Sequence, residues 1–162
     1  MIRTRKWLDR SLAVLVATLM ATLVLDVLWQ VFTRFILLDP SSWTEELARY
    51  LMIWVGLIGA AYAAGRRMHL SVDLLPSALT GNRARVLRIF IESLVLVFAL
   101  AALFAGGVRL VWVMLKLGQT SASLQLPLGY VYLAVPLSGL LIAWYAILDL
   151  TGEIRDLRNG NG

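Results

Sequence analysis

The sequence predicts an all-α membrane protein of four transmembrane helices with both termini on the cytoplasmic side. Three observations lead there. Of the 162 residues 60% are hydrophobic, against roughly 45–50% apolar residues in soluble domains. The apolar residues gather into four runs close to the ~20 needed to cross a bilayer as helix. The basic residues alternate from one side of those runs to the other.

The first span covers about 12–38. Arg3, Arg5, Lys6 and Arg10 precede it, as in a signal peptide, but the apolar stretch runs on too far and lacks a small-residue cleavage site, so it is expected to be retained. At 1.5 Å per residue it is roughly 40 Å long, beyond a hydrocarbon core of about 30 Å, and must tilt or protrude. The short connection LLDPSSW then forces an antiparallel return into the second span, about 47–64. Ser42 and Glu45 have the spacing of a capping box at its start, with Pro40 stopping the helix upstream.

The segment GRRMHLSVDLLPSALTGNRARVLR is too long for a turn. Asp73 as N-cap, Pro76 in a first turn and Gly81 as a stop predict a short interfacial helix over 74–80. Span three follows at about 89–115, a Gly/Ser/Pro-containing turn outside the membrane, and span four at about 128–150, opened by Pro127 and expected to kink near Pro136. No internal repeat is evident, so one four-helix domain is expected, with a disordered tail over about 159–162.

Eleven of the fifteen basic residues lie before span one, between spans two and three, or after span four. The positive-inside rule makes that side cytoplasmic. The net charge of +5 therefore reports topology, and membrane lipid rather than nucleic acid is the expected environment. The absence of cysteine excludes disulfides, thiolate metal centres and thiol nucleophiles.

Ionisable residues inside a span call for a functional hypothesis. Asp26 has Gln30 and Arg34 at i+4 and i+8, which reads either as a proton or cation site or as a polar stripe packed against another helix. At the outer boundary Arg34, Glu45, Glu46, Arg49 and Arg109 share one level. Glu45 and Glu46 lie four and three residues before Arg49, so an ion-pair cluster is expected. A catalytic carboxylate pair is disfavoured, because adjacent helical residues point about 100° apart. His69, the single histidine, cannot supply a zinc or bis-histidine haem site and has Asp73 four residues away. The chain is not expected to be an enzyme or to bind a cofactor. Trp7, Trp43, Trp54, Trp112 and Trp144, mostly toward span ends, suit an aromatic belt with Trp29 deeper, and Gly56, Gly59, Gly106 and Gly107 suit close helix approach.

The stretch RFILLDPSSWTEELARYLMIWVGLIGAAYAAGRRMHLSVDLL, with the later SASLQLPLGYVYLAVPLSG, resembles the small integral membrane subunit of tripartite ATP-independent periplasmic (TRAP) transporters, the DctQ family. The resemblance covers most of the chain. It implies a bacterial inner-membrane scaffold subunit working with a large membrane subunit and a periplasmic substrate-binding protein to import a carboxylate-bearing solute, with sodium as the coupling ion of the complex. Carried over by position, Arg34, Trp43, Glu45, Glu46, Arg49 and Tyr50 match the outer motif, which together with Arg109 implies periplasmic assembly or docking. Arg67, His69 and Asp73 match the cytoplasmic one. A self-contained small antiporter using Asp26 is the competing expectation.

Overall fold

The computed structural model describes residues 2–39, 41–66 and 82–158. The expected interfacial helix over 74–80, the residues Arg67, His69 and Asp73, and the tail over 159–162 lie outside them. Four assemblies of helix are long and apolar enough to cross a membrane. They comprise α1 (Ile2–Phe35), α2 (Ser42–Gly65), α3 (Asn82–Phe98) continuing through a π-helical stretch (Ala99–Ala105) into α4 (Gly106–Lys116), and α5 (Leu128–Tyr132) followed by α6 (Ala134–Arg158). No strand occurs among the described residues, only an isolated bridge between Thr120 and Pro127.

The helix α1 begins ten residues before its apolar run, because nothing in RTRKWLDR breaks a helix. The expected capping box at α2 does not form. Ser41, one residue earlier, is the N-cap, with φ −75° and ψ 119°. The Thr44 hydroxyl donates to the Ser41 carbonyl at 2.8 Å and lies 2.6 Å from the Ser41 hydroxyl. Thr44 is buried, which holds that turn in place of a Ser42–Glu45 exchange. Span four is interrupted at Leu133, one turn before Pro136. The physical reason is the proline itself: it lacks an N–H and its ring crowds the carbonyl four residues upstream, at Tyr132.

The spans lie side by side in the order one, two, four, three. Among the described residues, span one meets span two through α1 and α2, span two meets span four through α2 with α5 and α6, and span four meets span three through α6 with α3, the π stretch and α4 and through α5 with α4, while α1 approaches neither span three nor α6 through backbone. Span four is thus interior and spans one and three are edges.

Along α1 the buried and half-buried positions include Arg5, Asp9, Leu12, Val16, Leu19, Leu23, Asp26, Gln30 and Thr33. Their spacing alternates four and three, the seam of a left-handed helix pair. Arg34 leaves this seam for the exposed side, since eight residues at 100° overshoot the face by about 80°.

Spans three and four meet through small residues. A Cβ on Gly139 would stand 2.8 Å from Leu103 Cβ and from Phe104 N, and one on Gly107 would stand 2.8 Å from Pro136 Cδ. Lipid offers no hydrophobic drive between helices, so backbone proximity of this kind supplies the contact energy. Gly56 and Gly59 correct the expectation of close approach on span two, for a Cβ on either meets nothing within 4 Å.

Candidate functional site: polar clasps at the two ends of the helix layer

At the end away from the termini, α4 closes on Gly118 with φ +60°, a left-handed conformation glycine adopts without strain. The chain returns through a small hairpin in which Ser121 N–H donates to Leu126 O and Leu128 N–H to Gln119 O, both at 2.9 Å. At its tip the amide of Gln125 donates to Ala122 O at 3.0 Å.

Into this hairpin reaches Glu46 of α2. Its carboxylate accepts the backbone N–H of Ala122 at 2.9 Å and those of Ser123 and Leu124 at 3.0 Å each. Three successive amides turned to one side form an anion-binding concavity, and here the anion is a side chain of the same protein. The expected pairing of Glu46 with Arg49 is therefore corrected.

Glu45, one residue and about 100° away, points outward and takes Arg49 alone at 3.5 Å, with side chains 69% and 66% exposed. The divergence that argues against paired catalysis is what lets the two glutamates serve different partners. Exposed pairs contribute about 0–1 kcal/mol. Arg49→Ala is accordingly expected to leave the thermal unfolding midpoint in detergent essentially unchanged.

Of the other outer-motif residues, Trp43 is exposed and Tyr50 half-buried. Arg34 is exposed with its guanidinium 6.0 Å from the Phe35 ring, and Arg109 is exposed on α4. These do not converge with Glu45 and Glu46 into an ion-pair cluster. Asp26 is 7% exposed on the α1 seam, and its Oδ2 makes no hydrogen bond. Gln30 is half-buried one turn on, its carbonyl accepting the Thr33 hydroxyl at 3.0 Å.

The second clasp, at the end that carries the termini, has a sequence signal only in its charges. Arg5 donates to Asp149 Oδ1 at 3.1 Å and to the Gly65 carbonyl at 2.7 Å, tying α1 to α6 and to the last turn of α2. That carbonyl is one of the groups a helix C-terminus leaves without an internal partner, and a cation is the favourable donor there. The Tyr145 hydroxyl donates to Asp9 Oδ1 at 2.6 Å, and the Arg5 guanidinium lies 5.7 Å from the Tyr145 ring centre. Below the network Tyr145 joins Leu12 and Ile58 in the apolar cluster, flanked by Trp54 and Tyr62.

Sequence reasoning counted Arg5 only as a topological charge and passed over Asp9, Gly65, Tyr145 and Asp149. The available signal was an acid at each end of the chain, Asp9 amid basic residues and Asp149 inside the last apolar run. Among the described residues no group of three or more His, Asp or Glu is placed to hold a metal ion.

Comparison with known proteins places this arrangement. The family described as tripartite ATP-independent periplasmic transporters, DctQ component, matches residues 23–156. The chain is 36% identical over 107 residues to the sialic acid TRAP transporter small permease protein SiaQ of Vibrio cholerae, an alignment covering 66% of this chain and 58% of that one. It is 31% identical over 115 residues to the isethionate TRAP transporter permease protein DctMQ of Oleidesulfovibrio alaskensis, covering 71% of this chain but only 18% of the relative. A TRAP transporter small permease protein of Haemophilus influenzae is 27% identical over 150 residues, covering 91% of this chain and 90% of its own length.

Proposed function

The chain belongs to the DctQ component family of tripartite ATP-independent periplasmic transporters, and from that premise we propose that it is the scaffold subunit of a three-part importer, docked permanently on a large membrane subunit. As a permease subunit it is a multi-pass inner-membrane protein and not an enzyme.

One observation carries the docking. The same unit matches nearly the whole of one relative, 90% of its length, and only 18% of another called a permease protein. A segment that occurs both alone and within a much longer permease chain is one whose free form has a standing partner.

In this reading both termini and the Arg5 clasp are cytoplasmic. The Glu46 hairpin, Trp43 and Arg49 face the periplasm, where a substrate-binding protein approaches. Sodium is the coupling ion of the complex and is bound outside this chain. The relatives' names mention sialic acid, isethionate and C4-dicarboxylates. Isethionate is a sulfonate, so the class they share is the small organic anion, within which a carboxylate-bearing solute is the expectation here.

Purification in mild detergent tests the proposal. A larger multi-span protein should accompany the chain through affinity and sizing steps, and a stable, monodisperse monomer would overturn it. Arg49→Ala should lower uptake through weaker docking. Normal subunit association and binding-protein response with an altered sodium dependence would refute that role.

The buried, unpaired Oδ2 of Asp26 favours a second reading, a self-contained cation-coupled antiporter. Asp26→Asn separates the two. Weakened assembly is expected from the scaffold, whereas complete loss of transport with assembly intact would select the antiporter.

A further inference from the structure

We propose that the outward face of α4 is a binding site for an anionic phospholipid, with Arg109 and Lys116 holding the headgroup phosphate and Trp112 lying between them. The three residues occur at i, i+3 and i+7 of one helix, hence on one face. That face is opposite Gly107 and Val111, the residues α4 buries. Span three is an edge of the layer, so among the described residues no helix covers that face.

The charges there have no counter-ion within reach of the sequence. From Ser93 to Leu148 the chain contains no aspartate or glutamate. Of the three acids at this end, Glu45 is engaged by Arg49 and Glu46 by the hairpin amides, while Asp39 sits on the connection between spans one and two, and span one forms the opposite edge of the layer. Arg109 is exposed and forms no ion pair among the described residues. It also lies seven residues inside the helix end, about 10 Å at 1.5 Å per residue, at a depth where an uncompensated cation is costly. An anion from outside the chain is what the site lacks.

A phospholipid fits better than a protein carboxylate because the cations flank an exposed indole at the end of an apolar span. Lys116 Nζ lies 4.7 Å from the Trp112 ring centre, and Trp112 is 59% exposed, as suits a membrane–water boundary. Toward the middle of the span Val108, Leu100, Phe98 and Val97 are exposed as well, on more than one side of the helix. Arg109 and Lys116 stand about 10 Å apart along the helix, each with a stem long enough to reach toward one headgroup, and two positive charges favour phosphatidylglycerol over a zwitterionic lipid of the same phosphate chemistry.

The inference rests on the membrane reading alone, not on the transporter reading or on which leaflet is outer. It is tested by native mass spectrometry of the full chain, with whatever membrane protein co-purifies, given equal amounts of phosphatidylglycerol and phosphatidylcholine with identical acyl chains. The parent should retain phosphatidylglycerol with several-fold preference. Arg109→Gln with Lys116→Gln should lose that preference, and Arg109→Lys should keep most of it. Equal retention of the two lipids by the parent, a readout needing no variant, would overturn the proposal. So would a double variant that sheds a co-purifying subunit while keeping its lipid preference, which would assign the face to a protein carboxylate.

Discussion

Gly65→Ala is expected to destabilise the chain by about 1–3 kcal/mol, the range for forcing a methyl group into a packed site. The added Cβ would stand 2.5 Å from Tyr145 Cζ and 2.7 Å from both Cε atoms, so the ring would have to retreat. It has little room to do so, being 1% exposed, packed with Leu12 and Ile58, and held through its hydroxyl by Asp9 at 2.6 Å. Gly65 itself offers its carbonyl to Arg5 at 2.7 Å, and a displaced Tyr145 would carry Asp9 and α1 with it. The measurement is thermal unfolding in detergent of Gly65→Ala, Tyr145→Leu and the pair. If the clash is the cause, the double variant should be more stable than the sum of the single effects predicts. A Gly65→Ala chain as stable as the parent would mean that the ring yields freely and that the clasp is slack.

Glu46→Ala should have its effect far along the sequence, in the hairpin after α4. The amides of Ala122, Ser123 and Leu124 lose their common acceptor, and charge-assisted hydrogen bonds are the stronger kind. Hydrogen exchange at these three positions is expected to quicken on the order of tenfold or more, while exchange in the core of α6 stays as it was. Glu46→Gln should fall between, because one carbonyl oxygen offers two lone pairs to three donors. Unchanged exchange in the alanine variant would show that the hairpin's own bonds, Ser121 to Leu126 and Leu128 to Gln119, suffice without the glutamate. In the proposed complex the loosened hairpin should also reduce uptake, with the co-purification of the large subunit intact.

The number of spans could be read from the sequence because a bilayer imposes a length on each apolar run, whereas their order in the layer could not. The polar chemistry could be read only in part. SSWTE holds two overlapping capping patterns, and burial of Thr44 selects the one beginning at Ser41. Glu46 binds backbone amides 76 residues and more away, and an amide leaves no trace in residue identity. Gly56, Gly59 and Gly107 look alike as letters, yet only Gly107 faces a neighbour, since which side of a helix is covered depends on the order of the layer. Asp26 was legible as a costly residue, and its place on the α1 seam follows from heptad spacing that a reading centred on the i+4 and i+8 positions ran together with Arg34.

The Arg5 to Asp149 contact joins residues 144 positions apart. A ribosome delivers the amino-terminal end first, and domains are made in that order. While spans two and three are emerging, α1 has its α2 seam but lacks the anchor that α6 will bring. The clasp can close only after residues 145–149 have been synthesised and α6 has entered the bilayer. It thus serves as a completion mark: a chain cut short before Tyr145 and Asp149 keeps its first helix hinged, and quality-control proteases would meet it in that loosened form.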